Sequence, residues 1–285
     1  MADWVRSKKI ATKRIKMDLF KEIQKAQKQL EGVVQTTPLA ENLNLSTAYQ
    51  ARVFLKREDL QLVRSYKIRG AYNKISTLSE EDKAKEIVCA SAGNHAQGVA
   101  YSCQLLGING RIYMPKTTPK QKIKQVQLFG KEFVEIVLTG DTFDDTYRSA
   151  RQYAEDKEKI FVHPFDDMKV IAGQGTVGLE ILNTLTIPID YVFIPIGGGG
   201  LASGLSTVFK QLSPQTKIIG VEPSGAAAMK NSISFGYNTP LDTIDKFVDG
   251  AAVKQVGDLT FEICKKNLDD IVLVPEGKIC TIILR

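Results

Sequence analysis

A run of glycines is the part of the sequence with the clearest chemical use. The run consists of Gly197, Gly198, Gly199 and Gly200 and leads into Leu201. It follows an apolar strand-like stretch and opens an amphipathic one. Without side chains, consecutive backbone N–H groups can converge on one anion, and the N-terminus of the following helix adds its partial positive charge. The pattern predicts a phosphate-binding loop rather than a plain turn, and a side chain at Gly198 is expected to occupy the anion's space.

The residues around this loop leave two classes of phosphate ligand open. Because no Lys-Ser or Lys-Thr follows the glycines, a P-loop NTPase is excluded. Gly197, Gly199 and Ala202 fit the GxGxxA form of a dinucleotide-binding loop, and Glu222 ends the next strand-like run, roughly twenty residues later, where a ribose-binding carboxylate would lie. A nicotinamide-dependent oxidoreductase is therefore the main alternative to other phosphate ligands.

Two further segments carry groups suited to catalysis and to binding a carboxylate. Lys67 lies in Ser65-Tyr-Lys-Ile-Arg-Gly-Ala71, between small and aromatic residues and beside a glycine at the start of a predicted helix. The segment Ser91-Ala-Gly-Asn-His-Ala-Gln-Gly98 joins an apolar strand to a helix. It offers hydroxyl, amide, imidazole and backbone donors, which suit a carboxylate. A purely structural alternative is a capped helix start with Ser91 or Asn94 as the N-cap.

The elements that must position these segments alternate regularly along the chain. The predicted strands cover residues 52–56, 86–90, 110–114, 133–138, 191–196 and 217–221. The predicted helices cover residues 19–30, 97–106, 120–129, 143–155 and 201–212. Strands that alternate with helices predict parallel sheets with helices on both faces. The fold class is therefore α/β.

Taken in order, the three segments resemble those of one family. Ser-aromatic-Lys-x-Arg-Gly-Ala, Ser-Ala-Gly-Asn-His-Ala-Gln-Gly and the tetraglycine loop are similar to motifs of the biosynthetic threonine dehydratases, which are pyridoxal-phosphate enzymes of the tryptophan-synthase-β fold type. The resemblance extends from about Leu19 to Cys280. It implies two open-sheet α/β lobes of the fold-type-II architecture. A large cofactor-binding lobe would comprise residues 1–78 and 162–285, and a small lobe, residues 79–161, would carry the asparagine loop.

The resemblance also implies a role for each segment. Lys67 would be the catalytic residue and would hold pyridoxal 5'-phosphate as a Schiff base, Asn94 would hydrogen-bond the cofactor's ring oxygen, and Gly197 to Leu201 would wrap its phosphate. The substrate carboxylate would be bound by Ser91, Ala92, Gly93, Asn94 and His95. A desolvated lysine with a lowered pKa is a good nucleophile toward an aldehyde and a good base afterwards.

The implied reaction is an elimination. L-Threonine would give 2-oxobutanoate and ammonia, the first step of isoleucine biosynthesis, and L-serine would give pyruvate. A serine racemase-like enzyme is the neighbouring alternative, but Ala92 stands where such an enzyme has its second, basic serine, so we expect no racemisation. Related enzymes bind a divalent ion beside a Val-Glu-Pro motif. Glu222 and Ala226 match two of its ligands, whereas Ala228 replaces a carboxylate, so we expect no metal site.

The amino-acid composition indicates which partners and which cellular compartment to expect. No apolar run reaches membrane-spanning length, so no membrane partner is expected. The 4 cysteines form no CxxC pair, and with only 2 histidines they give no zinc spacing, which favours reduced thiols in a cytoplasmic protein. The net charge of +6 comes largely from basic residues between positions 6 and 16. We interpret these residues as a solvated tail and expect no nucleic-acid partner.

The end of the sequence and the assembly yield two further expectations. The chain ends in the apolar segment Thr281-Ile-Ile-Leu-Arg285, and the family continues into a Glu-Pro-small-Gly-Ala segment near the pyridine nitrogen. We therefore expect the chain to be an incomplete catalytic region, for which a catalytically impaired cofactor-binding fragment is the non-enzyme alternative. The resemblance also implies a homo-oligomer, a dimer or a tetramer.

Overall fold

Alternating strands and helices extend over residues 18–284, the part of the chain that the computed structural model describes. Its strands are β1 (Leu39–Glu41), β2 (Phe54–Lys56), β3 (Ile87–Ala90), β4 (Gly110–Met114), β5 (Val134–Leu138), β6 (Ile160–Phe161), β7 (Tyr191–Pro195), β8 (Lys217–Pro223) and β9 (Asp270–Val274). Its α-helices are α1 (Leu19–Gln29), α2 (Leu43–Tyr49), α3 (Lys67–Ser76), α4 (Glu80–Lys83), α5 (Asn94–Leu106), α6 (Lys120–Gly130), α7 (Phe143–Asp156), α8 (Met168–Thr184), α9 (Gly200–Leu212), α10 (Ala228–Phe235), α11 (Asp258–Asn267) and α12 (Glu276–Ile283). The basic tail predicted before residue 17 lies outside the described residues.

Each strand and helix predicted from the sequence is present, with its bounds shifted by a few residues at most. Strand β4 has the predicted bounds, whereas α5 begins at Asn94 instead of Gln97. Helix α8 was not predicted, because Gly173, Gly175 and Gly178 interrupt its apolar pattern. Glycine weakens the helix signal that propensity and periodicity carry.

The strands form three sheets. Strands β1 and β2 make an antiparallel pair. A four-stranded parallel sheet has the order β5-β4-β3-β6, and a three-stranded parallel sheet has the order β7-β8-β9. Parallel strands linked by helices confirm the predicted α/β class.

The chain folds into two compact units. Of the described residues, the first unit contains 18–27, 163–178 and 188–284, and the second contains 28–162 and 179–187. The predicted large lobe included residues 28–78 and 179–187, which the second unit contains, and the division into lobes stays a prediction. In the structure these residues belong with the asparagine loop, since α3 packs along α5 within the second unit.

The first unit is held together by a close crossing of α8 and α9. A Cβ atom on Gly204 would lie 2.6 Å from the backbone nitrogen of Gly175, so the two helix backbones touch at this point. Farther along, a Cβ on Gly178 would come within 3.1 Å of the Val208 side chain. Only glycine permits such an approach of two helices.

The second unit contains a buried ionic cluster beside the first turn of α3. The guanidinium of Arg69, which is fully buried, donates to Glu58 at 2.8 Å and to Glu180 at 2.6 Å. The ammonium of Lys56 donates to Glu180 as well and to the carbonyl of Thr37 at 2.7 Å. Because each buried charge has opposite charges and hydrogen bonds around it, the cluster fixes α3 to the β1–β2 segment and to α8.

Replacing Arg69 tests this anchoring. We expect Arg69→Leu to lower the free energy of unfolding by about 3 kcal/mol, because two mostly buried carboxylates lose their main partner. The matched control is Arg57→Leu, whose partner Asp59 is exposed, and which should leave stability nearly unchanged. Urea denaturation of both variants gives the comparison, and equal midpoints would show that the cluster does not anchor the helix.

Candidate functional site

The glycine loop lies where β7 ends and α9 begins, and it is tightly packed from one side. Gly199 has φ of +91°, a left-handed conformation that favours glycine. A Cβ atom there would lie 2.8 Å from Cε of Met229 and 2.9 Å from Cβ of Thr260. A Cβ on Gly198 would collide with the ring of Phe165. The expectation that a side chain at Gly198 would occupy the anion's space is therefore wrong, since it would meet the protein's own aromatic ring first.

The same loop presents backbone donors that the protein does not use. Gly198, Gly199 and Gly200 are buried. Within residues 18–284, the N–H groups of Gly197 to Gly200 donate no hydrogen bond. Buried N–H groups without an acceptor are rare and costly in folded proteins. Several of them in sequence, at the N-terminus of α9, fit a phosphate group.

A histidine segment supports the loop from behind. Nδ1 of His163 accepts the N–H of Asp166 at 2.7 Å and that of Phe165 at 3.3 Å. The His163 and Phe165 rings meet edge to face, with centroids 4.6 Å apart. His163 thus shapes the turn that places Phe165 over Gly198.

Lys67 begins α3 in the second unit. Burial lowers the pKa of its ammonium from the usual 10.5 to about 8. Its Nζ lies 5.4 Å from the centroid of the Tyr66 ring, and burial raises the pKa of that phenol to about 12. At neutral pH the phenol therefore stays protonated, whereas Lys67 holds its proton weakly enough to act as a nucleophile or a base.

The asparagine loop belongs to the same unit as Lys67 and contacts its backbone. Helix α5 begins at Asn94, and a Cβ on Gly98, one turn later, would lie 3.1 Å from the carbonyl group of Lys67. No side chain caps α5, whose N-cap is Gly93, so the structural alternative of a helix start capped by Ser91 or Asn94 loses its support. The start of α5 thus keeps backbone donors available close to the first turn of α3.

The remaining residues of this loop have defined roles in the structure. Oγ of Ser91 accepts the N–H of Gly93 at 3.2 Å and closes a tight turn around Ala92. The His95 ring is buried, and its Nε2 lies 3.0 Å from the carbonyl oxygen of Val162.

Ser65, for which the sequence motif predicted no role of its own, is a buried polar residue near Lys67. Its hydroxyl is buried and has no hydrogen-bond partner among the described residues. An unsatisfied buried hydroxyl two residues before Lys67 fits a site that binds a polar ligand. The only sequence signal was its place in the lysine motif.

Glu222 does not have the exposure that a ribose ligand needs. Its two carboxylate oxygens accept the N–H groups of Met229 and Lys230, each at 2.8 Å, so it caps α10. The residue is buried, which raises the pKa of its carboxyl to about 7. The interpretation of Glu222 as a dinucleotide ligand loses its support. Among residues 18–284, no three His, Cys, Asp or Glu side chains are grouped as a metal site.

Comparison with known proteins identifies the class to which this fold and these sites belong. Residues 30–285 match the family model described as pyridoxal-phosphate dependent enzyme. The chain belongs to this family, and its cofactor is pyridoxal phosphate. The unused loop donors and the lysine with a lowered pKa are groups that such a cofactor requires. No helix in the described part of the chain is long and apolar enough to cross a membrane.

Particular members of the family are closely similar. The chain is 59% identical over 259 residues to the L-threonine dehydratase biosynthetic IlvA of Halalkalibacterium halodurans and 56% identical over 264 residues to that of Bacillus subtilis. These matches cover 91% and 93% of the chain but only 62% and 63% of the relatives, so the chain spans less than two thirds of their length.

Solved structures give the same picture. The processed form of threonine deaminase isoform 2 from Solanum lycopersicum superposes with a TM-score of 0.86 at 45% identity, covering 90% of this chain and 74% of that one. Maize serine racemase superposes with a TM-score of 0.87 at 31% identity, covering 92% and 78%. The overall fold therefore does not separate dehydratases from racemases, and the residues of the site must do so.

The lowered pKa of Lys67 predicts a pH dependence. Because only the neutral amine attacks an aldehyde, covalent capture of pyridoxal phosphate by the apo-protein should accelerate as the pH rises and level off above about 8. Stopped-flow absorbance measures the capture rate over roughly pH 6 to 11, a range that includes both the lowered pKa of Lys67 and the ordinary pKa of lysine. A half-maximal rate near the ordinary pKa of lysine would show that Lys67 is not desolvated.

Proposed function

We propose that this chain carries the catalytic apparatus of a threonine dehydratase, which converts L-threonine to 2-oxobutanoate and ammonia in isoleucine biosynthesis. The observation that carries the proposal is the 59% identity to a biosynthetic threonine dehydratase over 91% of the chain. The proposed sites agree with it, since Lys67 can act as nucleophile and base and the glycine loop can bind a phosphate. The same residues would convert L-serine to pyruvate.

In this proposal each of the three sequence motifs has its own role toward the cofactor. Lys67 binds it covalently, Asn94 hydrogen-bonds its ring oxygen, and Gly197 to Leu201 bind its phosphate through backbone N–H groups. When bound, pyridoxal phosphate withdraws electrons from the α-carbon of the substrate, which acidifies the α-proton and lets the β-hydroxyl leave. The protein supplies orientation, charge placement and proton transfer.

The residues of the second unit account for the remaining requirements. Ser91 to His95 bind the substrate carboxylate at the start of α5 and so fix the face that the α-carbon presents to Lys67. Once the amino group of the substrate had replaced it on the cofactor, Lys67 would be an amine again, and its pKa of about 8 would leave a fraction of it neutral at neutral pH to take the α-proton. One water molecule is lost in the elimination and one is taken up in the later hydrolysis. The products, 2-oxobutanoate and ammonia, therefore together contain the atoms of threonine.

The choice of elimination over racemisation depends on Ala92. Racemisation needs a second group that delivers a proton from the face opposite Lys67. The Ala92 methyl group can neither give nor take a proton. The homo-oligomer, which the resemblance implies, and the cytoplasmic location, which the cysteine pattern favours, stay predictions.

Replacing Lys67 tests the proposed chemistry. Lys67→Ala should form 2-oxobutanoate from L-threonine at least about a thousandfold more slowly than the parent chain, because both nucleophile and base are lost. Lys74→Ala, on the same helix, is the matched control and should keep parental activity. Borohydride reduction and peptide mapping should place the pyridoxyl group on Lys67, and an adduct on another lysine would contradict the assignment.

Ala92 offers a second test. The parent chain incubated with L-serine should release pyruvate and essentially no D-serine, as followed by chiral chromatography. Ala92→Ser should introduce measurable D-serine, because it adds a hydroxyl that can transfer a proton. Rapid D-serine formation by the parent would favour the racemase alternative.

A further inference from the structure

A buried hydroxyl from α11 is bound to the glycine loop. Oγ1 of Thr260 donates to the carbonyl oxygen of Gly198 at 2.7 Å, and Thr260 is fully buried. The N–H of Gly257 approaches the same oxygen at 3.5 Å, so Thr260 provides the shorter bond. A hydrogen bond in a dry interior holds its acceptor firmly, because the unbonded carbonyl would pay a desolvation cost.

This bond sets the direction of an amide group that the protein leaves without an acceptor. Within residues 18–284 no peptide bond is cis. The Gly198 carbonyl and the Gly199 N–H therefore lie in one peptide plane and point in opposite directions. The carbonyl points to Thr260, and the Gly199 N–H therefore points away from α11. That N–H is one of the buried donors that make no hydrogen bond within the described residues.

We propose that Thr260 is a positioning residue, which turns the Gly198–Gly199 peptide so that its N–H faces the cofactor phosphate. The inference rests on the proposed role of the glycine loop and adds a residue outside all three sequence motifs. Glycine at 198 and 199 leaves this peptide without side chains that could fix its rotation. Thr260 supplies the restraint that the loop lacks.

The restraint is itself held in place. Oδ1 of Asp166 accepts the N–H of Leu259 at 3.0 Å and that of Thr260 at 3.2 Å, which fixes the first turn of α11. Asp166 follows Phe165 directly, so one short segment supports the loop twice. The Phe165 ring packs on Gly198, and the Asp166 carboxylate holds the helix that bears Thr260.

The other polar side chains nearby do not duplicate this contact. Sγ of Cys264 lies 3.9 Å from the carbonyl oxygen of Gly199, a weak contact, and burial raises the pKa of its thiol to about 12. Oγ of Ser203 lies 3.4 Å from the carbonyl oxygen of Thr260 and 3.5 Å from Cys264, not on the loop. Thr260 is therefore the side chain whose hydroxyl controls the loop.

The test compares variants that differ in one hydroxyl. Thr260→Val keeps the shape and removes the donor, whereas Thr260→Ser keeps the donor. Thr207→Val is the matched control, because Oγ1 of Thr207 donates to the Ser203 carbonyl inside α9 at 2.8 Å and not to the loop. Dissociation constants of pyridoxal phosphate and of pyridoxal, which lacks the phosphate, are measured by visible absorbance on folded, cofactor-free protein.

We expect Thr260→Val to weaken pyridoxal phosphate binding about tenfold and to leave pyridoxal binding unchanged, because the peptide acts on the phosphate alone. Thr260→Ser and Thr207→Val should retain the parental constants. If Thr260→Val does not fold, Thr260→Ala replaces it in the comparison with Thr260→Ser.

The outcomes separate this inference from the function on which it rests. A parent that binds pyridoxal no more weakly than pyridoxal phosphate would contradict phosphate binding by the loop itself. If the parent prefers the phosphate form and folded Thr260→Val shows the same preference, Thr260 does not position the loop. Equal losses for both ligands would indicate a general structural role and would also overturn the inference.

Discussion

Several consecutive amide groups lie buried at the start of α9 without an acceptor from the protein, and the first unit is organised around that constraint. Among the described residues, no side chain or carbonyl oxygen accepts a hydrogen bond from these N–H groups. Such an arrangement is stable only if packing elsewhere offsets the cost or if an anion meets the donors. The close crossing of α8 and α9 at Gly175 and Gly204 supplies that packing directly behind the loop.

The second unit solves a related problem with charge. Burial of Lys67 lowers its pKa, so keeping the protonated side chain buried costs free energy. The helix that bears Lys67 therefore needs strong anchoring from other contacts. Arg69, two residues along, provides it through two carboxylates, while Gly98 allows α5 to pack against the Lys67 backbone. In both units a group proposed to contact the cofactor is held in place by neighbouring side chains and backbone.

The sequence allowed the α/β class, the bounds of β4 and the approximate bounds of α5 and α9 to be predicted, because periodicity and glycine position are local properties. It also indicated Lys67, the asparagine loop and the glycine loop. It could not indicate that Thr260 contacts Gly198 or that Asp166 contacts the start of α11, since these partners lie about 60 and 90 residues apart along the chain and meet only after folding. Glu222 shows the converse, because a spacing that fits a ribose ligand belongs to a helix cap.

The contact between Phe165 and Gly198 carries a consequence for how this loop can change in evolution. The Phe165 ring occupies the space that a side chain at position 198 would need, so position 198 cannot gain a side chain while the ring is present. A larger residue at 198 becomes tolerable only after residue 165 has shrunk, and the two changes must show a strongly non-additive energy. Gly198 is therefore required by its packing against Phe165 as well as by any phosphate. This packing constraint would persist even in a descendant that had lost its phosphate ligand.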